Sequence, residues 1–247
     1  ALPILANTAL VAPAEQPPDW YRVLPLDGLD EARVWAEARD ALGLAADEGT
    51  RIMNYAFTEM LNNAIDHSGG SHATVEVWAH GPEIAARVGD DGRGVFARVR
   101  EGLGLASDLE AAAELTKGKR TTWAERHSGE GIFFTSKVAT LFRISANGLR
   151  LSIDNDRDDY ALGTSPIHEG TIVEMHLALP PARTLRSVFE EFTDDDLRFS
   201  RSRPRIELFA TGLTFVARSE ARRMLTGMTD FEDIDIDFTG VDDVGQG

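Results

Sequence analysis

The chain has 247 residues, a length that suits one large or two modest domains, and 43% of them are hydrophobic, as in an ordinary globular protein. With 41 acidic and 25 basic residues it carries a net charge of −16, which argues against nucleic-acid binding by broad phosphate neutralisation through this segment. The absence of cysteine excludes disulfides and thiolate metal sites. No apolar run reaches the ~20 residues of a membrane span.

Residues 1–19 are predicted to be an arm and linker ahead of the first domain. The opening run, ALPILANTALVA, is short and lacks a cationic start, so it does not have the pattern of a signal peptide. Together with the absence of cysteine, this favours a cytoplasmic protein. A Pro-rich linker follows at residues 12–18. We expect the arm to pack either on structure outside this sequence or on a second copy of the chain, as in a homodimer.

Hydrophobic periodicity predicts a series of helices and strands after this linker. Helices are predicted at residues 30–42 and across 53–66, and strands at 21–26, 73–79, 83–89, 141–145, 149–154 and 171–179. Residues 97–128 are too long for an ordinary connection, which predicts either a functional lid over a ligand site or a disordered segment. Lys117, Lys119 and Arg120 within it are predicted either to reach ligand phosphates or to form solvated surface.

The segment TEMLNNAIDHSGG (58–70) places three polar side chains on one face of a predicted helix. Glu59, Asn63 and Asp66 follow the spacing i, i+4, i+7, which points all three into one site. An Asn amide oxygen is a suitable ligand for magnesium. A Glu one turn away can deprotonate a water or hydroxyl that attacks a phosphate. Taken alone, a solvated polar stripe explains the pattern equally well.

The segment VGDDGRGVF (88–96) places a glycine-rich turn directly after a strand. Gly92 and Gly94 permit backbone shapes closed to other residues and let a ligand approach closely. The carboxylate of Asp90, at the end of the strand, can accept a hydrogen bond from an exocyclic amino group, which distinguishes adenine from guanine. An ordinary Asp-Gly turn is the alternative.

The segment HSGEGIFFTSKVA (127–139) contains a second glycine pair. Gly129 and Gly131 precede an apolar run, as in a glycine turn that opens a helix whose N–H groups face an anion. We expect Lys137, later on this helix, to be exposed. His67, next to the polar face of the first segment, is expected to be a polar wall or helix-end group rather than a phosphate acceptor. The histidines lack the spacing of zinc ligands.

Taken together and in this order along the chain, the three segments resemble the GHKL ATPases, the superfamily of gyrase, the heat-shock chaperone ATPases, the histidine kinases and the MutL proteins. The resemblance covers roughly residues 20 to 180. The similar positions are the N box at Glu59, Asn63 and Asp66, the adenine-binding box at Asp90, Gly92 and Gly94, the second glycine box at Gly129 and Gly131, and Thr171 at the start of the last strand.

This resemblance implies a two-layer α/β sandwich of the GHKL (Bergerat) type over residues 20–181, with helices on one face of a mixed sheet. It implies ATP and Mg²⁺ as cofactors. Glu59 resembles the general base and Asn63 the magnesium ligand. Asp90 and Thr171 resemble the adenine contacts.

Pro180-Pro181 marks a predicted boundary, beyond which residues 182–247 resemble a STAS-like domain of unknown function. This implies a smaller, incomplete α/β domain. STAS domains are substrates or partners of anti-sigma-factor kinases, which are GHKL proteins. Residues 245–247, Gly-Gln-Gly, stand where the acceptor hydroxyl would be, which argues against phosphorylation in that loop.

Two functions follow from these resemblances. The first is Mg-dependent ATP binding and hydrolysis, or phosphotransfer as an anti-sigma-type protein kinase, in a bacterial-type signalling protein. The alternative is a catalytically silent, ATP-gated protein-interaction or transcription-regulatory module. The partner would be a regulatory protein in trans or the chain's own STAS-like domain. Related fusions also suggest a DNA-binding segment ahead of residue 1, the route by which nucleic acid would be engaged. No membrane partner is expected.

Overall fold

The computed structural model describes residues 16–116, 130–192, 205–207 and 235–237. Six helices lie in these ranges: α1 (Glu31–Leu42), α2 (Glu48–His67), α3 (Val95–Leu103), α4 (Asp108–Thr116), α5 (Glu130–Val138) and α6 (Leu185–Phe192). The strands of the main sheet are β1 (Trp20–Pro25), β2 (His72–His80), β3 (Glu83–Asp90), β4 (Leu141–Ala146), β5 (Leu149–Asp154), β6 (Asp159–Thr164) and β7 (Thr171–Ala178). Two short strands, β8 (Arg205–Glu207) and β9 (Asp235–Asp237), pair in parallel as a separate sheet.

The main sheet has seven strands in the order β1-β2-β3-β7-β4-β5-β6, and every neighbouring pair is antiparallel. The predicted α/β class is confirmed, but the predicted mixed sheet is wrong. Strands β3 and β4 run in the same direction, yet β7 inserts between them and is antiparallel to both. The final long strand therefore separates β3 from β4, so these two strands do not pair with each other.

One face of the sheet forms the core beneath the helices. A row of apolar side chains crosses five strands in register, namely Val75, Val88, Val173, Ile144 and Leu151, and all five are buried. Burying an aliphatic side chain of this kind stabilises the fold by about 1.5–3 kcal/mol. Helix α2 packs over β3 and β7, so it lies above the middle of the sheet.

Helix α2 is amphipathic, and its ends are fixed by side chains. Asp47 is the N-cap and accepts a hydrogen bond from the Thr50 N–H at 2.9 Å. At the other end, the Ser68 hydroxyl donates to the Ala64 carbonyl. The apolar face buries Met53, Ala56, Phe57, Met60, Leu61 and Ala64. Of the polar positions of the predicted N box, which lie beside this face, Glu59 and Asn63 are half-buried and Asp66 is exposed.

The opposite face of the sheet carries a charged ladder. Arg87 on β3 forms ion pairs with Glu76 on β2 at 2.7 Å and with Glu174 on β7 at 2.9 Å. Opposite charges paired across neighbouring strands stabilise strand register. Among the described residues, no helix combines the length and apolar character needed to cross a bilayer.

Helix α6 packs on the main domain, although the sequence analysis assigns it to the second one. Val188 is 1% exposed and belongs to the core cluster. The Phe189 ring lies 4.2 Å from that of Phe134 on α5. The boundary between residues 181 and 182 stays a prediction, because most of residues 193–247 lie outside the described ranges.

Candidate functional site

A cavity of ≈230 Å³ opens beside α2 on the helix-covered side of the sheet. Seven residues that the sequence analysis singles out line it: Glu59, Asn63, Asp66, Asp90, Gly94, Gly131 and Thr171. The other lining residues are Met60, Asn62, Ala64, His67, Ser68, Val88, Val95, Arg98, Val99, Leu115, Ile132, Ile144 and Val173. Segments more than one hundred residues apart in the chain therefore meet around one space.

Among the described residues of the predicted site, Gly92 does not line this cavity. Gly92 supports it from behind, because a Cβ at that position would overlap the carbonyl oxygen of Ser68 at the end of α2. Gly129 lies outside the described residues, as do Lys117, Lys119, Arg120 and Gly245–Gly247. Part of the predicted lid is helical instead, since α3 and α4 occupy residues 95–103 and 108–116.

Asp90 ends β3 with its carboxylate held by backbone groups. Its Oδ1 accepts hydrogen bonds from the N–H of Gly92 at 2.9 Å and from the N–H of Thr171 at 3.2 Å. Its Oδ2 accepts no backbone hydrogen bond in the described part of the chain. Burial raises the pKa of the Asp90 carboxyl above its usual value, and the hydrogen bonds from Gly92 and Thr171 only partly oppose this. The result is a fixed, partly desolvated acceptor facing the cavity.

Thr171 begins β7 and lies next to Asp90 because of the glycine before it. Gly170 has a φ of 72°, and a Cβ there would overlap the Asp90 carbonyl oxygen. Only glycine combines this left-handed backbone with so close an approach. The Thr171 hydroxyl accepts a hydrogen bond from the Val95 N–H at 2.9 Å, which ties β7 to the first turn of α3.

Asn147, in the turn between β4 and β5, holds the glycine turn in place. Its Nδ2 donates to the Arg93 carbonyl at 3.0 Å, and its Oδ1 accepts from the Ala97 N–H at 3.1 Å. A Cβ on Gly94, whose φ is 82°, would overlap this amide. This role of Asn147 was not predicted from the sequence. Its Asn-Gly dipeptide is a hairpin signal that identifies the turn but not this contact.

Asp91 is directed away from the cavity and fastens the turn from outside. Its carboxylate accepts hydrogen bonds from the N–H of His72 at 2.9 Å and from the hydroxyl and N–H of Ser71 at 2.8 and 2.6 Å. These bonds, led by the one from His72, hold the pKa of Asp91 well below its usual range. The adjacent aspartates thus have separate roles: Asp91 anchors the turn and Asp90 faces the cavity.

Glu59 and Asn63 lie one turn apart on α2. A Cβ on Gly131, in the first turn of α5, would overlap Oε2 of Glu59, so the carboxylate reaches across to the second glycine segment. The Asn63 Nδ2 makes a long contact of 4.0 Å to the Met60 sulfur. Within the described residues, Oδ1 of Asn63 has no hydrogen-bond partner, which leaves it available to a ligand in the cavity.

The cavity combines apolar walls with one arginine. Val88, Ile144 and Val173 contribute side chains from the sheet. Arg98 on α3 is half-buried and lines the cavity, and within the described ranges its guanidinium has no ion pair or hydrogen bond. A Cβ on Gly69, just past the end of α2, would lie 3.3 Å from its guanidinium. A partly desolvated cation of this kind favours a ligand that carries negative charge or an aromatic face.

Lys137 lies at the far end of α5, away from the cavity, and the expectation that it is exposed is wrong. It is half-buried, with Nζ 5.6 Å from the ring centre of Phe133 and 5.8 Å from that of Phe192. Burial, followed by the neighbouring Arg183, lowers the pKa of its ammonium group. Lys137 therefore joins α5 to α6 and does not reach the cavity.

Comparison with protein-family models gives no match, and comparison with curated proteins gives none either. We therefore infer a ligand site from the contacts just described. Among the described residues, no group of three or more histidine, aspartate or glutamate side chains could hold a metal ion. Magnesium bound mainly through ligand phosphates needs only one or two protein oxygens. The Asn63 amide oxygen fits that requirement.

Proposed function

We propose that this chain binds an adenine nucleotide with magnesium in the cavity beside α2 and is an ATPase domain of the GHKL class. The observation that carries the proposal is the convergence of Glu59 and Asn63, Asp90 with Thr171, and Gly131 on one cavity. These residues come from four separated segments, and each is of the type that its proposed role requires. A solvated polar stripe or an isolated Asp-Gly turn would not require this convergence.

The base end of the proposed site is formed by Asp90 and Thr171. A carboxylate held by two backbone N–H groups accepts a hydrogen bond from the exocyclic amino group of adenine but has no donor for the guanine oxygen. The apolar side chains of Val88, Ile144 and Val173 offer a dry surface for the ring. This arrangement supports a preference for adenine over guanine.

The phosphate end is assigned to Glu59, Asn63 and the start of α5. Asn63 would hold magnesium, which when bound neutralises phosphate charge and orients the terminal phosphate. Glu59 then takes the proton of an attacking water or hydroxyl. Its contact with Gly131 places the carboxylate beside the backbone of the first turn of α5. Glycine leaves room there that any other side chain would fill.

The reaction we propose is ATP hydrolysis, or phosphotransfer to a regulatory protein in trans or to the chain's own STAS-like region, as in an anti-sigma-type kinase. A silent, ATP-gated module is the second candidate. It is favoured by one observation: α6 packs through Phe189 on both α2 and α5, the helices that carry Glu59 and Gly131. Nucleotide binding would then alter the position of α6 and so affect the chain that follows it, with or without turnover.

Calorimetric titration with ATP, GTP and adenosine, with and without magnesium, tests the binding proposal. We expect ATP to bind, GTP to bind at least tenfold more weakly, and magnesium to strengthen the binding of ATP but not of adenosine. Equal affinity for ATP and GTP would contradict the role of Asp90. Absence of binding by either adenine ligand would contradict the proposal as a whole.

A further inference from the structure

The aromatic ring of Phe189 bridges the two helices that carry the proposed phosphate end. It lies 5.9 Å from the Tyr55 ring on α2 in an edge-on arrangement and 4.2 Å from the Phe134 ring on α5. An edge-on aromatic pair at the separation of Phe189 and Tyr55 stabilises a defined geometry beyond simple burial. One side chain of α6 therefore contacts both helices at once.

These contacts lie close in sequence to the site. Tyr55 precedes Glu59 by four residues, one helical turn, and Phe134 follows Gly131 by three. Residues so spaced lie on the same side of a helix, one above the other. Because helices move as rigid elements over such short distances, the spacing that Phe189 sets between Tyr55 and Phe134 also sets the spacing between Glu59 and Gly131.

Helix α6 is itself anchored at its start. Thr184 and Ser187 form a reciprocal cap, in which each side-chain oxygen accepts a hydrogen bond from the other's N–H at 3.0 Å. Arg183 donates to the Lys137 carbonyl at the end of α5 at 3.1 Å and pairs with Glu191. The start of α6 is thus fixed to the far end of α5, and Phe189 reaches from this anchor to α2.

We propose that Phe189 is a positioning residue that holds Glu59 at its working distance from the first turn of α5. This inference depends on the proposed role of Glu59. It makes α6 part of the catalytic apparatus rather than a passive exit from the domain. A displacement of about 1 Å at a reacting group is enough to lower a rate by ~10²-fold.

Phe192 provides a matched control on the same helix. Its ring lies 5.2 Å from that of Phe133 on α5, and Lys137 and Arg183 lie against it. Among the described ring contacts, it touches α5 but not α2. Removing Phe192 therefore loosens α6 to a similar degree without removing the bridge between Tyr55 and Phe134.

The test compares Phe189→Ala, Phe189→Leu and Phe192→Ala in the full chain. For Phe189→Ala we expect kcat for ATP hydrolysis to fall ~10- to 100-fold while the Kd for ATP changes less than threefold. Phe189→Leu should recover most of the loss, and Phe192→Ala should lower Tm similarly but leave kcat within threefold of wild type. Equal loss of kcat in both Ala variants would overturn the proposal.

A second measurement separates this proposal from the proposed ATPase activity. Hydrogen exchange in ligand-free protein should speed up both on α2 near Tyr55 and on α5 near Phe134 in Phe189→Ala, whereas in Phe192→Ala it should speed up on α5 alone. If wild type shows no turnover, the ATPase proposal fails, and this pattern still decides whether Phe189 positions α5. The same exchange pattern in both variants would overturn the positioning role.

Discussion

Glu59 and Gly131, seventy-two residues apart in the chain, lie in direct contact where α2 meets the first turn of α5. The hydrogen of Gly131 occupies the place where a Cβ would overlap Oε2 of Glu59. The backbone of Gly131 thus limits the position of the proposed general base. This contact connects the two sequence segments whose proposed roles concern phosphate.

Gly131→Ala is predicted to impair chemistry more than folding. The atom it would displace is the end of a side chain that can rotate, so we expect Tm to change little while kcat for ATP hydrolysis falls by about tenfold or more as the carboxylate moves. Gly92→Ala is the contrasting variant, because its Cβ would overlap the backbone oxygen of Ser68. It should destabilise the fold by about 1–3 kcal/mol. A Gly131→Ala variant that unfolds like Gly92→Ala would contradict the assignment.

Asp90→Asn is predicted to weaken adenine ligands. The change keeps the shape but removes the charge, and a hydrogen bond to a charged group contributes about 1.5–3 kcal/mol, or roughly ten- to hundredfold in affinity. Calorimetry with ATP and with adenosine should show similar losses, because both contain the base. Asp91→Asn is the matched control: it should lower Tm but leave the affinity of the folded protein nearly unchanged. Unaltered affinity in folded Asp90→Asn would remove Asp90 from the site.

The sequence identifies the residues that line this site better than it identifies the residues that hold them in place. Glu59, Asn63 and Asp66 follow from helical spacing, and the turn at Asp90 follows from its glycines, because such patterns are local. The contact from Asn147 to Arg93 spans 54 residues. No local pattern encodes such a partner.

The sheet shows the same division between local and non-local information. The predicted strands near 73–79, 83–89 and 149–154 agree with β2, β3 and β5 within a residue. Strand β6 (Asp159–Thr164) was missed, since as an edge strand it lacks a fully buried side chain. The antiparallel arrangement depends on where β7 inserts, which is decided by tertiary packing rather than by periodicity. The bridging role of Phe189 was missed for the same reason.

The pH dependence of binding is predicted to follow Asp90. Its carboxyl pKa is raised by burial, so as pH falls the site loses its charged acceptor earlier than an ordinary aspartate would, and the affinity for adenosine should decline. In the ligand-free protein, the raised pKa of Asp90 changes folding stability with pH in the opposite direction to ligand affinity. Between the unfolded and folded pKa values the folded state binds more protons, so lowering the pH adds stability from this group. Titrations of adenosine at several pH values, with Asp90→Asn as the reference, check this. An identical pH profile in that variant would contradict it.

Asn63→Ala is predicted to act through magnesium and the phosphates alone. Its amide oxygen is the proposed metal ligand, so ATP with magnesium should bind more weakly, while adenosine binding stays within about twofold of wild type. Asn54→Ala, an exposed position on the same helix, serves as the control. Equal losses for ATP and adenosine would instead indicate a disturbed α2.

Single-turnover ATP hydrolysis at saturating magnesium, in wild type and in Glu59→Ala, tests the central claim most directly. Glu48→Ala is the control, because that carboxylate lies on the same helix but pairs with Arg51 at the surface. The account predicts measurable turnover in wild type and Glu48→Ala, and a fall of ~10²-fold or more in Glu59→Ala with ATP affinity nearly intact. Wild-type turnover that survives Glu59→Ala would contradict it.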